Sequence, residues 1–335
     1  MAETNFQSKT SIDVGIGSGS AALGTAHAVG DTWDFLQVTD FNIEAASAPI
    51  DVAPSKNSVL GQLENQGHHR PDTQMYETTL TMRGTPTAVL KSCLALFGDG
   101  SSTASLTPAA NTNDTGASVM KDGGTNINAV TLLFENAGSD DTSNDVSIPG
   151  CFATSMTLRA DVGTNGGELV VETQFMSGYR PVQSAFGAPT LKTLDTAAPK
   201  NIFNLSTTTL DSQILVLQSY EIVISRPLAR VHYQNTTDYK PFGYVQNGPY
   251  EVTGTLVAKR DNDIHDIDDH IQGDSAGIAL TLAEPDDGGI PYSLSLPDVM
   301  IDNSKPEVGD FLLQNIPFRA FAASESASII DILIT

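Results

Sequence analysis

Residues 261–270 read DNDIHDIDDH, a density of aspartate and histidine that invites a metal ion, and spacing decides whether one fits. An EF-hand calcium loop needs oxygen ligands at alternate positions, a glycine at the sixth and a glutamate at the twelfth. Those positions carry Asp266 and Gln272 here. Two zinc ligands on one helical face sit three or four residues apart, a spacing that His265 and His270 do not have. The isoleucines give a simpler account: Ile264, Ile267 and Ile271 form one stripe of an amphipathic helix, with the acids on its wet face and in its first turns. The expectation is a solvated helix over 261–273 and no metal site.

The remaining chemical candidates fail in the same way, on context. GDSAG at 273–277 matches G-x-S-x-G, but a nucleophile elbow has a strand before its serine and a helix after it. Ser275 follows the helix and precedes a strand, so a turn is expected. No partners present themselves, because His27, His68, His69, His232, His265 and His270 fall in loops, an arm or the acidic helix. The stretch GIGSGSAALG suggests a phosphate-cradling loop through Gly15, Gly17, Gly19 and Ala22, yet no helix follows and no acid ends a second strand. Residues 1–30 are therefore expected to form a flexible arm. Carboxylates lie mostly in turn-like contexts such as GSDDTSND and EPDDGG, so no pair is marked for acid and base work. No enzyme, cofactor or metal is expected.

Composition narrows the classes further. With 40 acidic residues against 17 basic ones, a formal charge of −23, the surface repels polyanions and nucleic-acid binding through a basic patch is disfavoured. Solubility or a salty habitat accounts for such acidity, and a surface that nucleic acid passes without sticking is a third reading. The opening MAETNFQSKT has no secretion pattern, and no apolar run is long enough to span a membrane. Cys93 and Cys151, in SCLALF and GCFATSM, read as small buried hydrophobes in a reducing compartment.

The elements are mostly strands. Alternation marks 76–84, 129–136, 151–161, 168–178, 217–227, 250–260, 278–285, 292–302, 310–321 and 328–335, and it slips once in WDFLQVTDFNIEA. Helical spacing recurs in TAVLKSCLALFG (87–98) and in 261–273. Each helix follows a strand that begins Tyr-Glu, at Tyr76 and at Tyr250. The correspondence extends both ways: LQVTDFNIEA matches LQSYEIVIS upstream, and MTLRAD with ELVVETQF matches LSLPDV with DFLLQNIPF downstream. The chain thus reads as one β unit written twice, over 31–190 and 217–335, with a linker at 191–216. Long polar loops at 45–75 and 226–249 interrupt the two units at matching places. The Gly, Ser and Thr rich stretch 99–128 reads as an insertion on an exposed edge.

This arrangement, with YETTLTMRGTPTAVLKSCLALFG, GCFATSMTLRADVGTNGGELVVETQFMSGYRP, GPYEVTGTLVAKRDND and IPYSLSLPDVMIDNSKPEVGDFLLQNIPFRAF as its most specific stretches, resembles the major tail tube proteins of long-tailed bacterial and archaeal viruses over roughly 30–335. The resemblance implies two tandem tail-tube-like β-sandwich units, each with one short helix, contributing to an intersubunit β-barrel. It implies a structural virion protein, synthesised in the host cytoplasm, whose rings stack into the virion's tail tube. The genome leaves through the lumen, which also holds a tape-measure protein, without specific binding of the double-stranded DNA; other tail proteins are further implied partners. Because such rings commonly carry six units, a doubled chain implies a trimer, or a hexamer if the repeat fails. Glu168, Glu172 and Asp310 are the lumen-lining candidates, with acid on the outer wall as the alternative. Asp51, Lys56, Arg70, Arg230, Tyr233, Tyr239 and Phe242 are the ring-stacking candidates, and the crowded aromatics there, Tyr244 included, read as loop packing at a ring interface. A carbohydrate-binding or adhesive β-sandwich on the virion surface is the alternative function; it calls for a concave aromatic cluster.

Overall fold

The computed structural model describes residues 12–18, 32–45, 50–52, 68–70, 76–98, 100–106, 119–121, 129–136, 145–179, 181–183, 191–205, 207–210, 213–231, 243–259, 278–283, 292–302, 305–308, 312–324 and 327–334. Among them the protein is mostly β, with a large mixed sheet and one helix. In chain order the strands are β1 (Ile12–Ser18), β2 (Thr32–Leu36), β3 (Val38–Ala45), β4 (Ile50–Val52), β5 (His68–Arg70), β6 (Tyr76–Arg83), then helix α1 (Pro86–Phe97), β7 (Thr103–Leu106), β8 (Val119–Lys121), β9 (Val130–Asn136), β10 (Val146–Asp161), β11 (Val170–Ser177) and β12 (Val182–Gln183). There follow β13 (Leu191–Leu194), β14 (Thr207–Leu210), β15 (Gln213–Ile214), β16 (Leu217–Ser225), β17 (Leu228–Val231), β18 (Gly243–Gln246), β19 (Glu251–Lys259), β20 (Ile278–Ala283), β21 (Tyr292–Ile301), β22 (Lys305–Val308), β23 (Leu312–Ala320) and β24 (Ile330–Ile334).

Antiparallel pairing runs without interruption through β3–β6–β11–β10 and on through β16–β19–β23, which closes on β21 and β22. A second layer lies behind it. β10 and β21 are long and irregular, and each leaves the first layer to pair elsewhere: β10 with β9 and β12, β21 with β20 and β24. The second layer extends from there through β1, β2 and β13 on one side and through β14 and β15 on the other. Leu80, Met82, Ile222 and Leu256 of the first layer join Val14, Ile16, Leu132, Leu280 and Ile332 of the second in one continuous apolar core. Period-two alternation places these side chains on a single face of each strand, and their burial supplies the main driving force.

Helix α1 packs on this core with local signals at both ends. Thr85 caps it, its hydroxyl accepting from the Ala88 amide at 3.2 Å and donating to Asp195. Pro86 supplies the first turn, and Gly98 ends the helix at φ 83°, where a side chain would be strained. Buried Ser92 donates to the Ala88 carbonyl and accepts from Thr173 of β11 at 2.8 Å, which ties helix to sheet. At the C-terminus the Leu96 carbonyl accepts from Arg226 Nη1 at 2.9 Å and from Tyr250 Oη at 2.8 Å. Thr85→Ala removes the cap and a partner of Asp195 together. It is expected to lower stability by about 1–2 kcal/mol, read as a shifted urea midpoint with unchanged slope.

Three sequence expectations are corrected. Residues 12–18, assigned to a flexible arm, form β1 between β2 and β9, with Val14 and Ile16 buried; alternation of Ile12, Val14 and Ile16 is hidden by a glycine-rich composition. Residues 191–216, assigned to a linker, contribute β13, β14 and β15. Lys192 Nζ reaches Glu135 at 2.7 Å and Asp13 at 3.2 Å and lies 3.9 Å from the centre of the Phe35 ring, which pins β13 to the second layer. The stretch 99–128, assigned to an exposed insertion, contains β7, which pairs with β24 and buries Ala104 and Leu106, and β8, which pairs with β18. The acidic segment 261–273 and GDSAG lie outside the described residues.

Candidate functional site

The strands that bury one face turn the other outward, and in the first layer that outer face is mostly polar, with Val170, Val223, Val257 and Pro317 among the polar residues. Asp40, Asn42 and Glu44 of β3 stand beside Glu77, Thr79, Thr81 and Arg83 of β6, which oppose Glu172 and Gln174 of β11. The row continues through Thr157, Arg159 and Asp161 of β10, Glu221 of β16, Thr253, Thr255 and Lys259 of β19, and Asn315 and Arg319 of β23. The face is hollowed at its Arg83–Asp161 end. A concavity of about 950 Å³ opens on it, lined by Thr39, Thr81, Arg83, Arg159, Asp161, Glu168, Glu221 and Thr255 among others.

Its arginines are held in ion pairs on the same face. Arg83 Nη2 meets Glu168 at 2.6 Å, Arg159 approaches Glu172 at 3.6 Å, and Arg319 Nε meets Asp302 at 2.9 Å. Asp40, Glu44, Glu77, Glu221 and Glu251 add negative charge, so the surface is acidic with a lawn of threonine hydroxyls between the charges. Such a surface offers a polyanion no cationic patch. The aromatic Tyr220 also borders the concavity, but its side chain is buried and its hydroxyl lies 3.2 Å from that of Tyr292. Burial pushes the Tyr220 phenol above its usual range. Among the described residues no group of three or more His, Cys, Asp or Glu side chains is placed to hold a metal ion, and no helix is long and apolar enough to cross a membrane.

The two ends of this layer are open edges. Among the described residues β3 pairs with β6 alone and β22 with β23 alone. An open edge is a row of unpaired backbone donors and acceptors and a template for another strand. In the middle of the layer β10 and β16 meet edge to edge, with Arg159 opposite Glu221, Thr157 opposite Val223 and Ser155 opposite Ser225.

Register also defines two rims. At one rim lie Ala45, Tyr76, Ser177, Ser225 and Glu251, and from it the chain enters both hairpins, β4–β5 and β17–β18. The opposite rim exposes large apolar side chains beside polar ones such as Asn165 and Lys259. There Val162 follows β10, Ile214 and Val216 precede β16, Leu312 opens β23, and Phe203 stands against Gly167 before β11. Ile214 is 75 % exposed, Phe203 65 % and Val216 64 %, unusual for large apolar side chains in so acidic a chain.

Of the sequence-derived lumen candidates, Glu172 is on the polar face and Glu168 at its rim, both ion-paired. Asp310 lies outside the described residues. Asp51 sits opposite His69 and Arg70 opposite Ile50 in the first hairpin, and Arg230 sits opposite Tyr244 in the second. Lys56, Tyr233, Tyr239 and Phe242 lie outside the described residues. Tyr244, read from the sequence as interface packing, is instead buried within the chain, its ring 5.3 Å from that of Phe152. The sequence reading missed Phe203, Ile214 and Val216, because the segment holding them was taken for a linker; the apolar run ILVL at 214–217 was the available signal for the last two. No protein-family model matches the chain, and no curated protein matches it.

Proposed function

We propose that this chain is the structural subunit of a viral tail tube, joining copies of itself edge to edge into hollow rings that stack around a channel for DNA. The observation that carries the reading is the acidic, uninterrupted sheet, hollowed at one end, that among the described residues ends on two open edges. Its strand order supports the tandem repeat: β3–β6–β11–β10 is followed by β16–β19–β23–β21, each run built from the corresponding strands of its half. The β10–β16 contact is then the junction between units, formed once within the chain.

Closure follows from edge chemistry. Joining edges between copies removes the aggregation hazard of open strands, and three copies close a barrel of about 24 strands, wider than the 16–18 that already leave an aqueous channel. With the polar face inward, DNA meets carboxylates and hydroxyls and slides with little retention. The hairpin rim of one ring faces the apolar rim of the next, a head-to-tail contact that propagates into a tube. The adhesive sandwich has no aromatic cluster to rest on among the residues described in the concavity.

Electron microscopy of the purified chain with end-on averages tests the reading. Hollow threefold rings or tubes are expected. Sixfold rings would keep the tube and discard the tandem repeat, whereas a compact particle without a channel, across protein and salt concentration, would sink both.

A further inference from the structure

The internal junction specifies how two chains meet. Anchoring the two runs on their Tyr-Glu strands places Glu77 with Glu251 and Thr81 with Thr255. Asp40 lies opposite Thr81 as Glu221 lies opposite Thr255, so Asp40 of β3 takes the place of Glu221. On the neighbouring strand Val170 opposes Arg83, and in the second run Asn315 opposes Val257. Arg159 lies opposite Val170 and Lys305 opposite Asn315, so Lys305 takes the place of Arg159.

Resting on the ring reading above, we infer that β3 of one copy pairs antiparallel with β21–β22 of the next in the register of the β10–β16 junction, setting Asp40 opposite Lys305 and, across the one-residue bulge between β21 and β22, Ile43 opposite Ile301. The same register sends Ile43 and Ile301 to the core side together, matching Ile224 opposite Met156 within the chain. It also sets an acid of one edge opposite a base of the other, as Glu221 lies opposite Arg159. A slip by one residue would place Asp40 and Lys305 on opposite faces and turn Ile43 outward. Like edges cannot satisfy this pattern, since β3 on β3 sets acids against acids, so the contact is head-to-tail and closes a ring.

Cysteine crosslinking of the full chain reads the register. Asp40→Cys/Lys305→Cys, oxidised to the disulfide under assembly conditions, is expected to give a covalent ladder ending at three chains, while each single variant and Asn42→Cys/Lys305→Cys, whose diagonal separation is too long for a disulfide, give none. The native thiols do not interfere: Cys93 and Cys151 are buried, and burial pushes Cys151 up to about 12. A second readout is independent of thiol geometry. Asp40→Lys is expected to weaken association about tenfold at low salt, and Asp40→Lys/Lys305→Asp to restore it. Rings that form without the Asp40–Lys305 crosslink, or with the Asn42–Lys305 one, overturn this register and leave the ring reading standing. A wild-type chain that stays monomeric overturns the ring reading and the register with it.

Discussion

Ile214→Asp/Val216→Asp is expected to leave rings intact and stop them from stacking. Both side chains are largely exposed in the isolated chain, so their replacement costs the fold little. In a stacked tube each would be covered, and burying such a side chain contributes roughly 1.5–3 kcal/mol. That contribution recurs at every copy around a ring. Aspartate removes it and adds like charge to a chain already at −23, so the loss compounds at every ring-to-ring contact. Sedimentation and electron microscopy at matched protein concentration should show single rings where the wild type forms tubes. Tubes of unchanged length would mean that this rim is not the stacking surface. Phe203, on the same rim, is expected to give a weaker effect alone.

Gly254→Val is expected to abolish soluble expression. Gly254 lies in the middle of β19, between Ile222 of β16 and Phe318 of β23. A Cβ there would stand 2.4 Å from Phe318 Cζ and 2.6 Å from the Glu221 carbonyl oxygen. The ring can yield, but the carbonyl belongs to the sheet ladder and cannot move without breaking pairing. Overpacking of this kind costs at least about 3 kcal/mol, a large part of a domain's net stability. At the matching register of the first run Leu80 opposes the small Thr173, so bulk is exchanged between neighbouring strands. Gly254→Ala/Phe318→Thr should therefore recover part of the solubility, and only part, because the Glu221 contact remains. Full recovery would show that side-chain crowding alone sets the requirement.

The strands and the helix that build the core were legible because their signals are local. Alternation such as TLTM in β6 and IVI in β16 states which side chains turn inward, and Thr85, Pro86 and Gly98 punctuate α1 within its own span. The slip in WDFLQVTDFNIEA marks Gln37, whose amide donates to the Asp195 and Ala197 carbonyls at 3.0 and 2.8 Å. A sequence shows the slip; the partners some 160 residues away are set only by folding.

Composition misled where it overrode pattern. Glycine in β1, polar residues around β13 to β15 and serine with threonine around β7 read as arm, linker and insertion, yet each segment is captured as a strand by a distant edge with vacant hydrogen bonds. By itself the sequence determined a mostly β chain, a helix at 87–98, a strongly acidic character and no recognisable catalytic motif. The tertiary structure alone decided that the polar rows of distant strands share one face, that β10 and β16 join the two runs, and that Val162, Phe203, Ile214, Val216 and Leu312 share the rim opposite the hairpins. Local rules fix which way a side chain points from its own strand, whereas the neighbour of that strand depends on pairing across the whole chain.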